Sequence, residues 1–233
     1  IRASLKNEVI LLEGNDKCGK KILLTGNGRC NYWNENISID SYHTDNLKKL
    51  EEIISSSNQK EVLTFLEKMG LFPRIKNGYY YPFSNQASSV RNLLTRELEK
   101  RNVEVVYQKV KHISKQEHYF LIDTSKQTFV SDYVILATGS TASPKTGSDG
   151  SGYLLAKSLG HTISEVTPAL VPMKAKESCL KDWEGVRTDS KVSLIVENKK
   201  VAEELGEIQL TNYGISGICV FNLSGLASKN LKL

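Results

Sequence analysis

Apolar residues along the chain fall into runs with two different periods. Val9-Ile-Leu-Leu12 is apolar without alternation, so Glu8–Leu12 is expected to be a buried parallel strand, after residues 1–7 as the tail of a helix. Leu47, Leu50, Ile53 and Ile54 recur on one helical face, with Thr44 or Asp45 as the cap and Ser55-Ser-Ser-Asn58 as the break. Asn58 and Glu61 form a capping pair for a second helix carrying Val62, Phe65, Leu66 and Met69, which stops at Gly70. A tyrosine-rich loop, Lys76-Asn-Gly-Tyr-Tyr-Tyr-Pro-Phe83, follows. Ser84 then caps a third helix with Ala87, Val90, Leu94 and Leu98.

From Val103 the period shortens to that of strands. Val103–Tyr107, Val110–Ser114, Tyr119–Asp123 and Thr128–Val130 read as a β-meander, leading to a fully apolar strand, Tyr133–Ala137, that ends in Thr138-Gly-Ser140. Gly150–Leu159 is a short helix closed by Gly160. Beyond Thr167-Pro168 come strand-like pieces such as Val192–Val196 and Gly217–Phe221. A boundary near 163–170 therefore divides the chain into residues 1–165 and 166–233.

Composition narrows the picture modestly. The 233 residues are 39% hydrophobic and 24% charged, those of an ordinary globular protein without a window long enough to span a membrane. The net charge of +5 is spread among interleaved acids, so a nucleic-acid partner is not expected. Cys18, Cys30, Cys179 and Cys219 lack C-x-x-C or zinc spacing, and no secretion signal opens the chain, which points to a reducing cytoplasm. His43, His112, His118 and His161 are scattered, so no metal is assigned. Neither a G-x-S-x-G elbow nor a Walker sequence occurs.

The chemistry concentrates between Glu13 and Asn31. An acid at the tip of a nucleotide-fold strand accepts hydrogen bonds from ribose hydroxyls, and glycines let backbone N–H groups approach phosphates. Glu13 has that place, and Gly19 with Lys20 and Lys21 offers a turn and counter-charge. In Thr25-Gly-Asn-Gly-Arg-Cys-Asn31 the glycines, Gly26 and Gly28, imply positive φ or close approach, while Arg29 and Asn31 supply a cation and an amide. Cys30 reads as a small buried filler rather than a reactive thiol. Leu136-Ala-Thr-Gly139 places small residues at a strand end, where open α/β sheets bind ligands. Tyr79-Tyr80-Tyr81 offers ring faces to a substrate or packs onto the sheet.

Together these residues resemble a family of flavin-dependent oxidoreductases that includes aminoacetone-oxidase-like flavoproteins and a bile-acid dehydro-reductase. The motif E-x-N-x-x-x-G-x-K is matched by Glu13, Asn15, Gly19 and Lys21, and [ST]-G-x-G-R-C-N by Thr25–Asn31. Leu136–Gly139, Thr146-Gly-Ser148, Pro168–Pro172 and Leu210–Gly217 match later family segments. The resemblance implies an α/β fold: a Rossmann-like FAD/NAD(P)-binding domain of the glutathione reductase type, interrupted by a β-rich insert. It further implies FAD as cofactor, with Glu13 on the adenosine ribose and the backbone of Val110 at the adenine. Gly19–Lys21 and Thr25–Asn31 would line diphosphate and isoalloxazine, and Ala137, Thr138 and Gly139 would close over the cofactor. A small-molecule substrate is expected; no catalytic residue is assigned.

The family's first strand and G-x-G-x-x-G turn do not precede Ile1, and its return to the FAD domain does not follow Leu233. The sequence therefore reads as an internal fragment that by itself binds FAD poorly. A non-catalytic truncated product or interaction module, and a methyltransferase-like enzyme using Glu13 on a ribose, stay open as alternatives.

Overall fold

The computed structural model describes residues 1–56, 59–176 and 178–231, in two units, Ile1–Ile163 and Ser164–Leu233. The Asn58 cap and the side chain of Cys179 lie outside the described residues. In the first unit a single 3-10 turn at Ala3–Leu5 stands where a helix tail was expected, and β1 (Ile10–Leu12) follows. A 3-10 stretch over Ile22–Gly28 leads to β2 (Trp33–Asn34), then to α1 (Leu47–Ser56) and α2 (Gln59–Lys68). The cap of α1 is Asn46, whose Oδ1 accepts from Lys49 N–H at 3.0 Å, rather than Thr44 or Asp45. Gly70, at φ +100°, ends the turn after α2 as expected.

The tyrosine-rich segment is not a loop. β3 (Pro73–Lys76) and β4 (Tyr79–Pro82) form a hairpin whose two turn residues, Asn77 and Gly78, are both left-handed, and β2 pairs with the outer edge of β4. Asn-Gly is the strongest short-range hairpin signal, so the sequence carried this information. α3 (Ala87–Lys100) begins after Gln86 without a side-chain cap, because Ser84 Oγ instead accepts from Gln86 N–H and meets Ser89 Oγ. Cys30, Met69, Leu71, Ala87, Val90 and Leu93 form one buried cluster around this helix. Cys30 thus is the filler its surroundings require.

β5 (Glu104–Val106) does not join the meander. It pairs in parallel with β1, Ile10 opposite Glu104 and Leu12 opposite Val106, which gives the parallel pairing expected of β1, although Ile10 is 41% exposed. The meander proper is β6 (Val110–Lys115), β7 (Phe120–Thr124) and β8 (Thr128–Ser131), with an irregularity between Val110 and His112. Ile113 and Ile122 on its inner face pack with Leu155 of α4 (Ser151–Ser158), whose end Gly160 marks at φ +88°. Ile113 is 2% exposed, so Ile113→Ala is expected to cost about 3 kcal/mol, the usual range for emptying such a site, read as a lower denaturant midpoint at unchanged slope.

The apolar run Tyr133–Ala137 is not a strand, contrary to its composition. No strand among the described residues pairs with it, and Tyr133 and Ile135 are 86% and 80% exposed. Apolarity fixes a preference for burial, but a strand exists only when a neighbour takes up its N–H and C=O groups.

In the second unit β9 (Met173–Lys174), β10 (Arg187–Val196), β11 (Lys199–Thr211) and β12 (Gly214–Ser216) make one antiparallel sheet in the order β10-β11-β12-β9. Val192–Val196 lies within β10 as expected. Gly217–Phe221 does not form a strand: α5 (Ile218–Leu231) starts there. Cys219, Val220, Leu223, Ser224, Ala227 and Ser228 are its buried positions, a helical spacing that the shorter apolar run concealed. Ser224 is satisfied by donating to Phe221 O at 2.7 Å and accepting from Val171 N–H at 3.1 Å.

Candidate functional site

At the C-terminal end of β1 the Glu13 N–H continues the parallel ladder to Val106 O at 3.0 Å, and its half-buried carboxylate turns toward the following loop. Glu13 Oε1 accepts from both Asn15 N–H and Asn15 Nδ2, each at 2.8 Å. Asn15 Nδ2 also donates to Thr146 O at 3.2 Å. Lys21 Nζ donates to Ala142 O at 3.0 Å and Ser148 Oγ at 2.9 Å. Segments more than a hundred residues apart are thereby brought together, and Thr146 and Ser148 are buried between them.

The 136–139 segment meets the same loop. Gly139, at φ +76°, lies so near Ser148 that a Cβ there would stand 2.7 Å from its Oγ, and Thr138 abuts Gly152 at the start of α4. Ala137, Thr138 and Gly139 remain exposed on their other side. The far end of the loop is held by Lys109, whose ammonium pairs with Asp149 and keeps that carboxyl well below the usual carboxylate range, with Ser151 adding to the effect. Lys20 pairs with Asp16 one turn away and lowers that carboxyl too. Both lysines of the Lys20-Lys21 pair thus have intramolecular partners.

The Thr25–Asn31 segment has the backbone its glycines imply. Gly26, Asn27, Gly28 and Cys30 all take positive φ, at 55°, 55°, 80° and 61°. Arg29 N–H donates to Gly26 O and Cys30 N–H to Thr25 O, closing the turn on itself. Residues 26–29 are exposed, while Cys30 is anchored in the core. Arg29 makes no ion pair among the described residues. Gly19, at φ +76°, packs instead against Arg91 of α3. Among the described residues no side-chain hydrogen bond joins this segment to the Glu13 cluster. Val110 stands at the head of β6 and packs, like Leu12, against the meander cluster, while the preceding Lys109 lies against Gly14.

The hairpin that sequence reading missed forms one wall of the Thr25–Asn31 segment. A Cβ on Gly26 would lie 3.6 Å from Tyr81 Cε1, so the Tyr81 ring edge covers that turn. Tyr80 O–H donates to Glu35 Oε1 at 3.1 Å, and its ring meets Tyr32 edge to face at 6.2 Å. Partial burial, reinforced by Glu67, pushes the Tyr32 hydroxyl up to about 12. A tyrosine held neutral in the folded chain contributes stability that is complete below pH 10 and is lost between pH 10 and 12. Ultraviolet titration should therefore show a late-ionising tyrosine that vanishes in Tyr32→Phe.

Near Glu13, burial pushes the Cys18 thiol up against the opposing pull of Tyr107, with Glu13 adding to the rise. Such a thiol is neutral at physiological pH and a poor nucleophile. Cys18, Cys30 and Cys219 are all free. Among the described residues no group of three or more His, Cys, Asp or Glu could hold a metal ion, and no helix is long and apolar enough to cross a membrane.

A family model described as the HI0933-like protein Rossmann domain matches residues 1–220. A 3-dehydro-bile acid delta(4,6)-reductase of Clostridium scindens is 43% identical over 225 residues, 96% of this chain and 55% of that protein. Two proteins named ribosomal RNA dihydrouridine synthase also match. The one from Escherichia coli is 26% identical over 93% of this chain and 54% of its own length, and that from Haemophilus influenzae 21% over 95% and 56%. The chain spans about half the length of the curated relatives it matches.

Proposed function

Because the chain belongs to the HI0933-like Rossmann-domain family, we propose that it supplies the FAD-binding part of an oxidoreductase acting on a small organic substrate. In this reading residues 1–165 are the cofactor domain and 166–233 a β-rich insert. The observation that carries it is the Glu13 carboxylate at the C-terminal end of a parallel strand, where nucleotide ribose is held in folds of this class. The Thr25–Asn31 turn supports it with an open surface: a Cβ on Gly28 would meet nothing closer than 4.0 Å, and the Arg29 guanidinium is available to an anionic group.

A bound flavin supplies two-electron, hydride-transfer chemistry. The chain's own residues orient and enclose. Glu13 accepts from ribose hydroxyls, Gly26–Arg29 present backbone and one cation, and Ala137–Gly139 form a small-residue surface at the loop that Lys21 and Asn15 fix. Tyr80 and Tyr81 give the substrate an aromatic wall beside the Gly26 turn. The name of the 43% relative, a reductase of a 3-dehydro-bile acid, favours a hydrophobic ketone or enone as substrate. The ribosomal RNA named for the more distant relatives is the competing substrate.

Purification of the full-length protein with FAD should give a yellow protein with flavin absorbance that Glu13→Ala loses. A colourless protein that FAD does not reconstitute overturns the reading. Consumption of a steroid enone, but not reduction of ribosomal RNA, is the expected substrate result.

A further inference from the structure

Asn15 engages its neighbour in an unusual way, because its main-chain N–H and its Nδ2 converge on one oxygen, Glu13 Oε1. The same Nδ2 reaches Thr146 O, and the left-handed Gly147 lies so close that a Cβ there would overlap the Asn15 amide. Lys21 secures the same loop at Ala142 and Ser148, so Asn15 is held on a surface that is itself held. A glutamate at a strand end otherwise has free side-chain torsions, whose loss opposes binding.

We infer that Asn15 is a positioning residue for an adenosine ribose. It occupies Glu13 Oε1 with two donors, leaves Oε2 for ribose hydroxyls, and ties the carboxylate to the 142–148 loop. The role rests on the flavin reading above. It concerns the adenosine half alone, which FMN lacks. Loss of the Asn15 amide leaves the carboxylate's torsions to be fixed on binding, a loss of roughly tenfold in affinity, or ~1.4 kcal/mol.

Calorimetric titration of the full-length protein with FAD, ADP and FMN tests this on Asn15→Ala, Asn15→Asp, Glu13→Gln and the Glu13→Gln/Asn15→Ala double variant, with a thermal melt of each. Asn15→Ala should weaken FAD and ADP about tenfold and leave FMN within about twofold. Asn15→Asp, of the same shape but without the amide hydrogens, should do at least as much. In the Glu13→Gln background the Asn15 substitution should add less than about twofold, because the carboxylate it positions is gone. Equal losses in both backgrounds, or equal losses for FMN and ADP, overturn the role and leave the flavin reading intact. An unaltered full-length protein that binds neither FAD nor ADP overturns both.

Discussion

Gly217→Ala is expected to unfold the Ser164–Leu233 unit, at a cost of about 3 kcal/mol or more. Gly217 joins β12 to α5 at φ +128°, a conformation that L side chains rarely adopt. A Cβ there would overlap the carbonyl oxygen of Glu207, and would stand 3.1 Å from the Ile208 Cα. Both are backbone atoms of β11 in mid-sheet, paired with β10, so they cannot yield without opening the ladder. Relief would displace α5, whose Cys219, Val220 and Leu223 are 2%, 0% and 2% exposed. Gly185→Ala is the internal control: at φ +89° but with nothing within 4 Å, it should lose only about 1 kcal/mol of backbone strain. Hydrogen exchange of the 187–211 amides reads both variants. Equal protection in the two would show that crowding at Gly217 is not what matters.

Gly26→Val is expected to reduce FAD affinity by about two orders of magnitude while the surrounding core stays folded. Gly26 sits at φ +55°, and a Cβ there would lie 2.9 Å from Asn31 N and 3.6 Å from the Tyr81 ring. A β-branched residue resists the left-handed region, so the turn must reverse, carrying Asn27 and Gly28 with it. Those residues are exposed, which is why the change should spare stability and fall on binding. Gly28→Ala, left-handed but open to 4.0 Å, should cost tenfold or less. Flavin fluorescence titration gives the affinities and far-ultraviolet circular dichroism the fold. Retained FAD affinity in Gly26→Val would remove the Thr25–Asn31 turn from the site.

Much of the site's local chemistry was legible in the chain. The left-handed turn at Gly26–Gly28 follows from glycine spacing, and the burial of Cys30 from its size and solitude. Both properties are decided within a few residues. The fate of Lys21 was not legible, because its acceptors lie more than 120 residues away. The Tyr79–Pro82 strand was legible through Asn77-Gly78, a pair that favours the two-residue left-handed hairpin turn. For Gly217–Phe221 the apolar run was too short to separate a strand from the first turn of α5, and only the buried positions up to Ser228 distinguish them.

The sequence by itself determined the left-handed Thr25–Asn31 turn, the helices over 47–100, the β6–β8 meander and the family. Backbone torsions, capping and hydrophobic period act over one or two turns of chain and are written there. Tertiary structure alone decided that β5 pairs with β1, that Tyr133–Ala137 has no strand partner among the described residues, and that Asn15 and Lys21 clasp the 142–148 loop to Glu13. Such pairings depend on which distant groups arrive to satisfy a donor or cover an apolar face, and no local pattern encodes that arrival.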